Sequence, residues 1–267
     1  MRIVEPRVFL VGETRLIDEE FNAYLEHVGA PEWRSIKSQQ CPDAPTDIEK
    51  MPEIMGRLCY RSWKPKLNPN VTRVREGNDE YLNNILKSAH GSVLEHSFIN
   101  FIFANVSRVF THELVRHRVG VAISQESLRF VRLDNLGFWP PLVLREYADA
   151  IDIMMKTVGE LEKVQVELAK ILKLDELTKF EQKKKLTSAM RRVANIGLAT
   201  TIGWSANIRT LRHVIEMRTN PGAEEEIRLV FGLVAEKLKS RYPNLFGDYT
   251  VEVIDGLPWY KTEYRKV

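Results

Sequence analysis

The sequence predicts an α+β fold, a mixed sheet flanked by long helices in one domain, and three observations carry that expectation. Two segments, SFINFIFANV (97–106) and NIGLATTIGWSAN (195–207), have strand length, and the first is rich in aromatic and branched residues. Between them lie two stretches of helical character, roughly 146–172 and 176–194. With 267 residues, 44% of them hydrophobic, the chain can bury one substantial core.

Taken in order, VEPRVFLVG (4–12) reads as a short opening strand, followed by a helix over about 17–28. The Pro-rich CPDAPTDIEKMPE (41–53) reads as a loop leading into a helix that runs through Tyr60. After the polar KPKLNPNVTRVREGNDE (64–80) comes a helix near 81–88. SRVFTHELVRHR (107–118) switches to helical spacing at Val109, Phe110 and Leu114, with Ser107 as its N-cap. That reading puts Arg116, His117 and Arg118 in the last helical turn, stopped by Gly120. VGVAISQES (119–127) reads as irregular, and LRFVRLDNL (128–136) alternates like a strand until FWPPLV ends it. The helix at 146–172 is marked by Ile151, Met155, Val158, Leu161, Val164 and Leu168. After the 195–207 strand, NIRTLRHVIEMR (207–218) and GAEEEIRLVFGLVAEKLKSRY (222–242) read as helices, the second stopped by Pro243.

The 39 Lys+Arg against 36 Asp+Glu leave a formal charge of only +3, so affinity for anions must be local, and neither a nucleic acid nor a membrane is expected as the main partner. Two cysteines, Cys41 and Cys59, are too few for a disulfide framework and suit a reducing cytoplasm. The first twenty residues carry an apolar run too short for a signal peptide or a membrane span.

Anion-binding capacity is concentrated in RHRVGVAISQESLRF (116–130). Arginines at a helix C-terminus can simply complement the macrodipole, by about 0.3–1 kcal/mol each. Arg129, with Ser124, Gln125, Glu126 and Ser127 before it, argues for more, because guanidinium forks, hydroxyls and amides together form an oxyanion site suited to a nucleotide phosphate. Downstream, Asn207, Arg209, Arg212, His213 and Arg218 could form a solvated helix face, but helical spacing does not put Asn207, His213 and Arg218 all on one face, so some point inward and need partners. Upstream, His90, Ser92, Glu95 and His96 raise a metal site, but no HExxH or second carboxylate supports it and none is expected. There is no GxGxxG after a strand, no Walker loop and no GxSxG elbow. Cys59 has Arg57 and Arg61 nearby, yet a structural or surface thiol is the simpler reading.

RHR, eight residues, then S-x-R resembles the signature of the flavin-dependent thymidylate synthases, with a spacer one residue longer than the usual form. HGSVLEH (90–96) and NIRTLRHVIEMR resemble that family's flavin-contacting segments, and Glu113 stands where the family often has glutamine. The resemblance covers about 88–248 and implies that family's single-domain fold with a mainly antiparallel sheet. It divides the chain into an N-terminal extension packed on the core (1–80), a flavin- and nucleotide-binding core (81–250) and a C-terminal tail (251–267). It implies reductive methylation of dUMP to dTMP with FAD, methylenetetrahydrofolate as carbon donor and NADPH as reductant, in a cytoplasmic homotetramer whose active sites are shared between subunits. Arg218 would be catalytic, stabilising charge on the pyrimidine. Glu113, Arg116, Gln125, Glu126, Ser127, Leu128, Arg129, Arg191 and Arg218 would bind dUMP, with Arg192 as a substitute for Arg191 if the alignment slips. Ser92, Arg116, His117, Arg118, Gln125, Asn207, Arg209 and His213 would bind FAD. The redox chemistry belongs to the flavin, so no activated protein nucleophile is required.

Two other readings stay open. One is a flavoprotein of the same fold with a changed substrate, motivated by the longer spacer and Glu113. The other is a nucleotide- or RNA-binding module that uses EQKKKLTSAMRR (181–192) and the arginine-rich segments as a basic surface.

Overall fold

The computed structural model describes residues 2–35, 45–130, 135 and 137–265. In chain order the regular elements are β1 (Arg2–Ile3), β2 (Arg7–Glu13), α1 (Asp18–His27), α2 (Asp47–Tyr60), α3 (Asn78–Lys87), β3 (Phe98–Ser107), α4 (Arg108–Leu114), β4 (Val121–Gln125), β5 (Gly137–Phe138), α5 (Ala148–Ile171), α6 (Phe180–Met190), β6 (Ala199–Asn207), α7 (Ile208–Thr219), α8 (Glu225–Arg241), α9 (Pro243–Phe246), β7 (Thr250–Ile254) and β8 (Leu257–Lys261).

The central sheet has the order β2-β3-β6-β4 and is antiparallel throughout; β1 and β5 form a short parallel pair, and β7 and β8 a hairpin. Period-2 alternation divides its two faces. Ile99, Phe101 and Phe103 of β3 and Ile202, Trp204 and Ala206 of β6 are buried on one face. On the other, Phe98 and Ile102 are exposed and Asn100 donates to Ser205 Oγ at 2.6 Å. The buried face packs on α7 and α8 through Leu211, Val214, Ile215, Val230, Phe231 and Val234. Trp204 meets Phe231 edge to face at 5.7 Å. Burial of a side chain such as Phe231 contributes roughly 1.5–3 kcal/mol.

Four expectations are corrected. The helix read as starting after the Pro-rich loop begins inside it, at Asp47, because Thr46 and Glu49 form a capping box. Pro52 is tolerated within this helix: the Ile48 carbonyl that it cannot serve accepts the Ser97 hydroxyl at 2.9 Å. Secondly, α4 stops at Leu114, so Arg116, His117 and Arg118 lie beyond it; the Arg116 and His117 amides already bond to carbonyls three residues back. Thirdly, the strand after the RHR is β4, within the stretch read as irregular, and Leu128–Phe130 form a turn instead. Much of the rest of the predicted 128–136 strand, residues 131–134 and 136, lies outside the described residues, as does Cys41. Fourthly, the helix expected over 176–194 is shorter, with 191–193 as a 3-10 turn. Of the apolar stripe read on α5 only Val158 is buried, and Ile153 and Ile171 are 65% and 67% exposed.

Candidate active site

Arg218 lies in the last turn of α7, where a cation suits the negative helix end. Its guanidinium is fully engaged: Nη1 donates to the Glu113 carboxylate, Nη2 to the Glu113 carbonyl at 3.1 Å, and Nε to His117 Nε2 at 2.8 Å. Accepting through Nε2 makes His117 a neutral imidazole with its proton on Nδ1. Burial, then the charges of Arg218 and His213, push its pKa down to about 4, against a smaller opposing pull from Glu113.

The chain before β4 is tied to the start of α7 by close contacts. Gly120 adopts φ +69°, and a Cβ there would stand 2.4 Å from Asn207 Nδ2. The Asn207 amide donates to the Gly120 carbonyl at 3.0 Å, its side chain caps α7 by accepting from Thr210 N, and Thr210 Oγ1 donates to the Val119 carbonyl at 2.8 Å. Thus the expectation of inward polar groups on 207–218 holds for Asn207 and for Arg212, which is buried and forked onto Asp248 at 2.7 and 2.8 Å. His213 is exposed.

Around this knot stand cations with few internal partners. The guanidinium groups of Arg116 and Arg118 are exposed and have no bonding partner among the described residues. Arg209 pairs with Glu95 at 2.6 Å, which takes that carboxylate out of any ligand set, and Ser92 lies exposed in the 3-10 turn at Gly91–His96. His90 packs on the Tyr60 ring at 6.2 Å. Among the described residues no three His, Cys, Asp or Glu side chains converge as metal ligands. Uncommitted arginines beside a close backbone approach fit the diphosphate of a dinucleotide.

The other half of the signature is at the far end of β4. Its register, Val121 opposite Ala206 and Gln125 opposite Ile202, separates the two ends by roughly 13 Å at about 3.3 Å per residue. Gln125 Nε2 donates to Thr111 Oγ1 at 3.3 Å; Glu126 exchanges bonds with Thr201, and Ser127 Oγ accepts from the Arg129 amide at 3.3 Å. Leu128 and Arg129 border a cavity of about 530 Å³ between α5 and α6, with the Arg129 Nε buried and unpartnered. Arg191 lines a separate basic pocket of about 660 Å³ with Arg108, Lys185 and Arg192. Of the residues named from sequence, Arg218, Glu113 and His117 are brought into direct contact, Gln125, Glu126 and Ser127 lie at or just beyond the other end of β4, where Thr111 and Arg108 tie the first two back to α4, and Arg191 lines its own pocket. Arg108 went unnoticed in sequence because no motif marks it; burial and the nearby Arg191 lower its pKa.

Residues 43–244 match the family described as Thymidylate synthase complementing protein. A flavin-dependent thymidylate synthase of Mycobacteroides abscessus is 32% identical over 221 residues, covering 80% of this chain and 86% of that protein. One from Corynebacterium glutamicum is 34% identical over 218 residues, covering 79% and 85%. Among solved structures, thymidylate synthase X from Helicobacter pylori with FAD and dUMP superposes with a TM-score of 0.54 at 21% identity, covering 75% of this chain and 93% of that one. The UMP/dUMP methylase PolB from Streptomyces cacaoi, bound with 5-Br UMP, gives 0.59 at 14% identity, covering 92% and 94%. Both share the fold.

Proposed function

This chain belongs to the flavin-dependent thymidylate synthase family, and from that premise we propose that it methylates dUMP reductively to dTMP, with methylenetetrahydrofolate as carbon donor and NADPH as reductant. The observation that carries the reading is the Arg218–Glu113–His117 knot beside the RHR arginines. Arg218 is the catalytic residue: turned from Glu113 to a pyrimidine, its donors stabilise negative charge developing at N3 and O2. Arg116, His117, Arg118, Asn207, Arg209, His213, Ser92 and Gln125 hold FAD, and the exposed guanidinium groups of Arg116 and Arg118 meet its diphosphate charge. Bound flavin supplies the redox chemistry of the methylation. Glu113, Arg116, Gln125, Glu126, Ser127, Leu128, Arg129 and Arg191 hold the nucleotide.

In this reading the site is shared between subunits, one chain's Arg218 being completed by the nucleotide-binding segment of another. The assembly we propose, from the family resemblance, is a cytoplasmic homotetramer with shared sites, and the exposed apolar face of α5 is a surface available for it. No helix among the described residues is long and apolar enough to cross a membrane.

Release of tritium from C5-labelled dUMP in the presence of FAD, methylenetetrahydrofolate and NADPH tests the reaction; a folded, flavin-loaded protein that releases none refutes it. UMP run beside dUMP tests the second reading, a changed substrate, which the longer spacer and Glu113 favour. Preference for UMP would move the assignment there.

A further inference from the structure

Two consecutive helices grip α4 at opposite ends. At its C-terminal turn Glu113 is held by Arg218 of α7. At its N-terminus, Ser107 is held by Glu226 from the first turn of α8, a carboxylate only 2% exposed. Glu226 Oε1 accepts the Ser107 amide at 2.6 Å, and Oε2 accepts the Ser107 hydroxyl. That hydroxyl in turn accepts the Phe110 amide at 3.1 Å, capping α4. The hydrogens account for the arrangement: with Phe110 N–H pointing at Oγ, the serine's own proton goes to Glu226, which needs two acceptor oxygens for its two bonds. The backbone of Glu226 is fixed as well, since its amide donates to the Glu224 carboxylate that caps α8.

We propose that Glu226 is a positioning residue for the active site: through Ser107 it sets the placement of α4, and so the placement of Glu113 against Arg218. The inference rests on the functional reading above for its consequence in turnover, but its structural half does not. A buried carboxylate is costly where an apolar side chain would pack, and burial pushes this one up to about 7, partly offset by the Ser107 bonds. Helix α4 has only seven residues, so the anchorage of its first turn is transmitted to Glu113 within two turns.

Glu226→Gln keeps the shape but leaves one oxygen where two are needed. Hydrogen exchange of the flavin-loaded protein reads the clamp without turnover: amides of 108–118 should exchange faster in the variant, by about tenfold or more, while those of the β3–β6 ladder stay unchanged. Unchanged exchange in 108–118 overturns the proposal. In the tritium assay, Glu226→Gln should lower kcat by about tenfold with KM for dUMP nearly constant, and should cost less than about twofold when introduced into Glu113→Ala. Additive losses would show that Glu226 acts independently of Glu113 and refute positioning. If Glu226→Gln does not fold, Ser107→Ala, which removes the hydroxyl bond and keeps the amide bond, is put through the same cycle with the same readings. A wild type that turns over no dUMP refutes the function and leaves the exchange result to decide the clamp.

Discussion

Arg218 and Glu113 are 105 positions apart in sequence, yet the guanidinium of one bonds both the carboxylate and the backbone carbonyl of the other, the second at 3.1 Å. If Arg218 has the proposed catalytic role, it is preorganised by a group that bound nucleotide must partly replace. In Arg218→Ala the flavin spectrum should remain while turnover falls by about 10²–10³, the usual loss for one charge-stabilising donor. Loss of flavin together with activity would reassign Arg218 to cofactor binding.

Glu113→Gln keeps an acceptor for Arg218 and removes the charge. Since the Glu113 charge raises the His117 pKa, the variant's imidazole should titrate still lower than about 4, and kcat/KM should fall by about tenfold or less. NMR titration of His117 and steady-state kinetics check the two halves.

Two groups give opposite pH dependences of stability. His117 is depressed from 6.5 to about 4, so the unfolded chain binds more protons in that window and stability is lost as pH falls through it. Glu226 is raised from 4.5 to about 7, so the folded chain binds more protons and its contribution is lost as pH rises through that window. In thermal melts across pH 5 to about 8, stability relative to its value at pH 5 should be higher in Glu226→Gln than in the wild type, because the loss tied to Glu226 is removed while the His117 gain up to pH 6.5 remains. Parallel curves would remove Glu226 as the titrating group.

Gly120→Ala meets both a left-handed φ and the Asn207 side chain. We expect a loss of about 1–3 kcal/mol in denaturant unfolding and weaker FAD retention, because the RHR segment and the Asn207 cap must shift together. Destabilisation with intact flavin binding would mean that Gly120 serves the fold alone.

Ile153→Lys with Ile171→Lys places charge on the exposed apolar face of α5. If that face lies between subunits, light scattering should show a smaller particle, and turnover should fall as the shared sites separate. An unchanged particle size would place any subunit interface elsewhere.

Much of the architecture was legible without coordinates. Strand β3 was legible from its aromatic and branched residues and β6 from its strand length, each burying one face in the core, and α8 from its length and the stop at Pro243. The candidate site residues were nominated from sequence as well, by the RHR and S-x-R signature. What failed lies where local pattern is weak. Strand β4 is half exposed along its length, so its place is set by backbone pairing with β6 rather than by buried side chains. The sequence by itself determined the family, the inner sheet and the inventory of cations, since these depend on residue type and short-range period. Only the tertiary structure decided that strand β4 runs between the two parts of the signature, that Glu113 occupies Arg218, and that Glu226 anchors the helix that carries Glu113. Those facts depend on contacts between residues far apart in sequence, 105 and 119 positions for the last two, which no local period records.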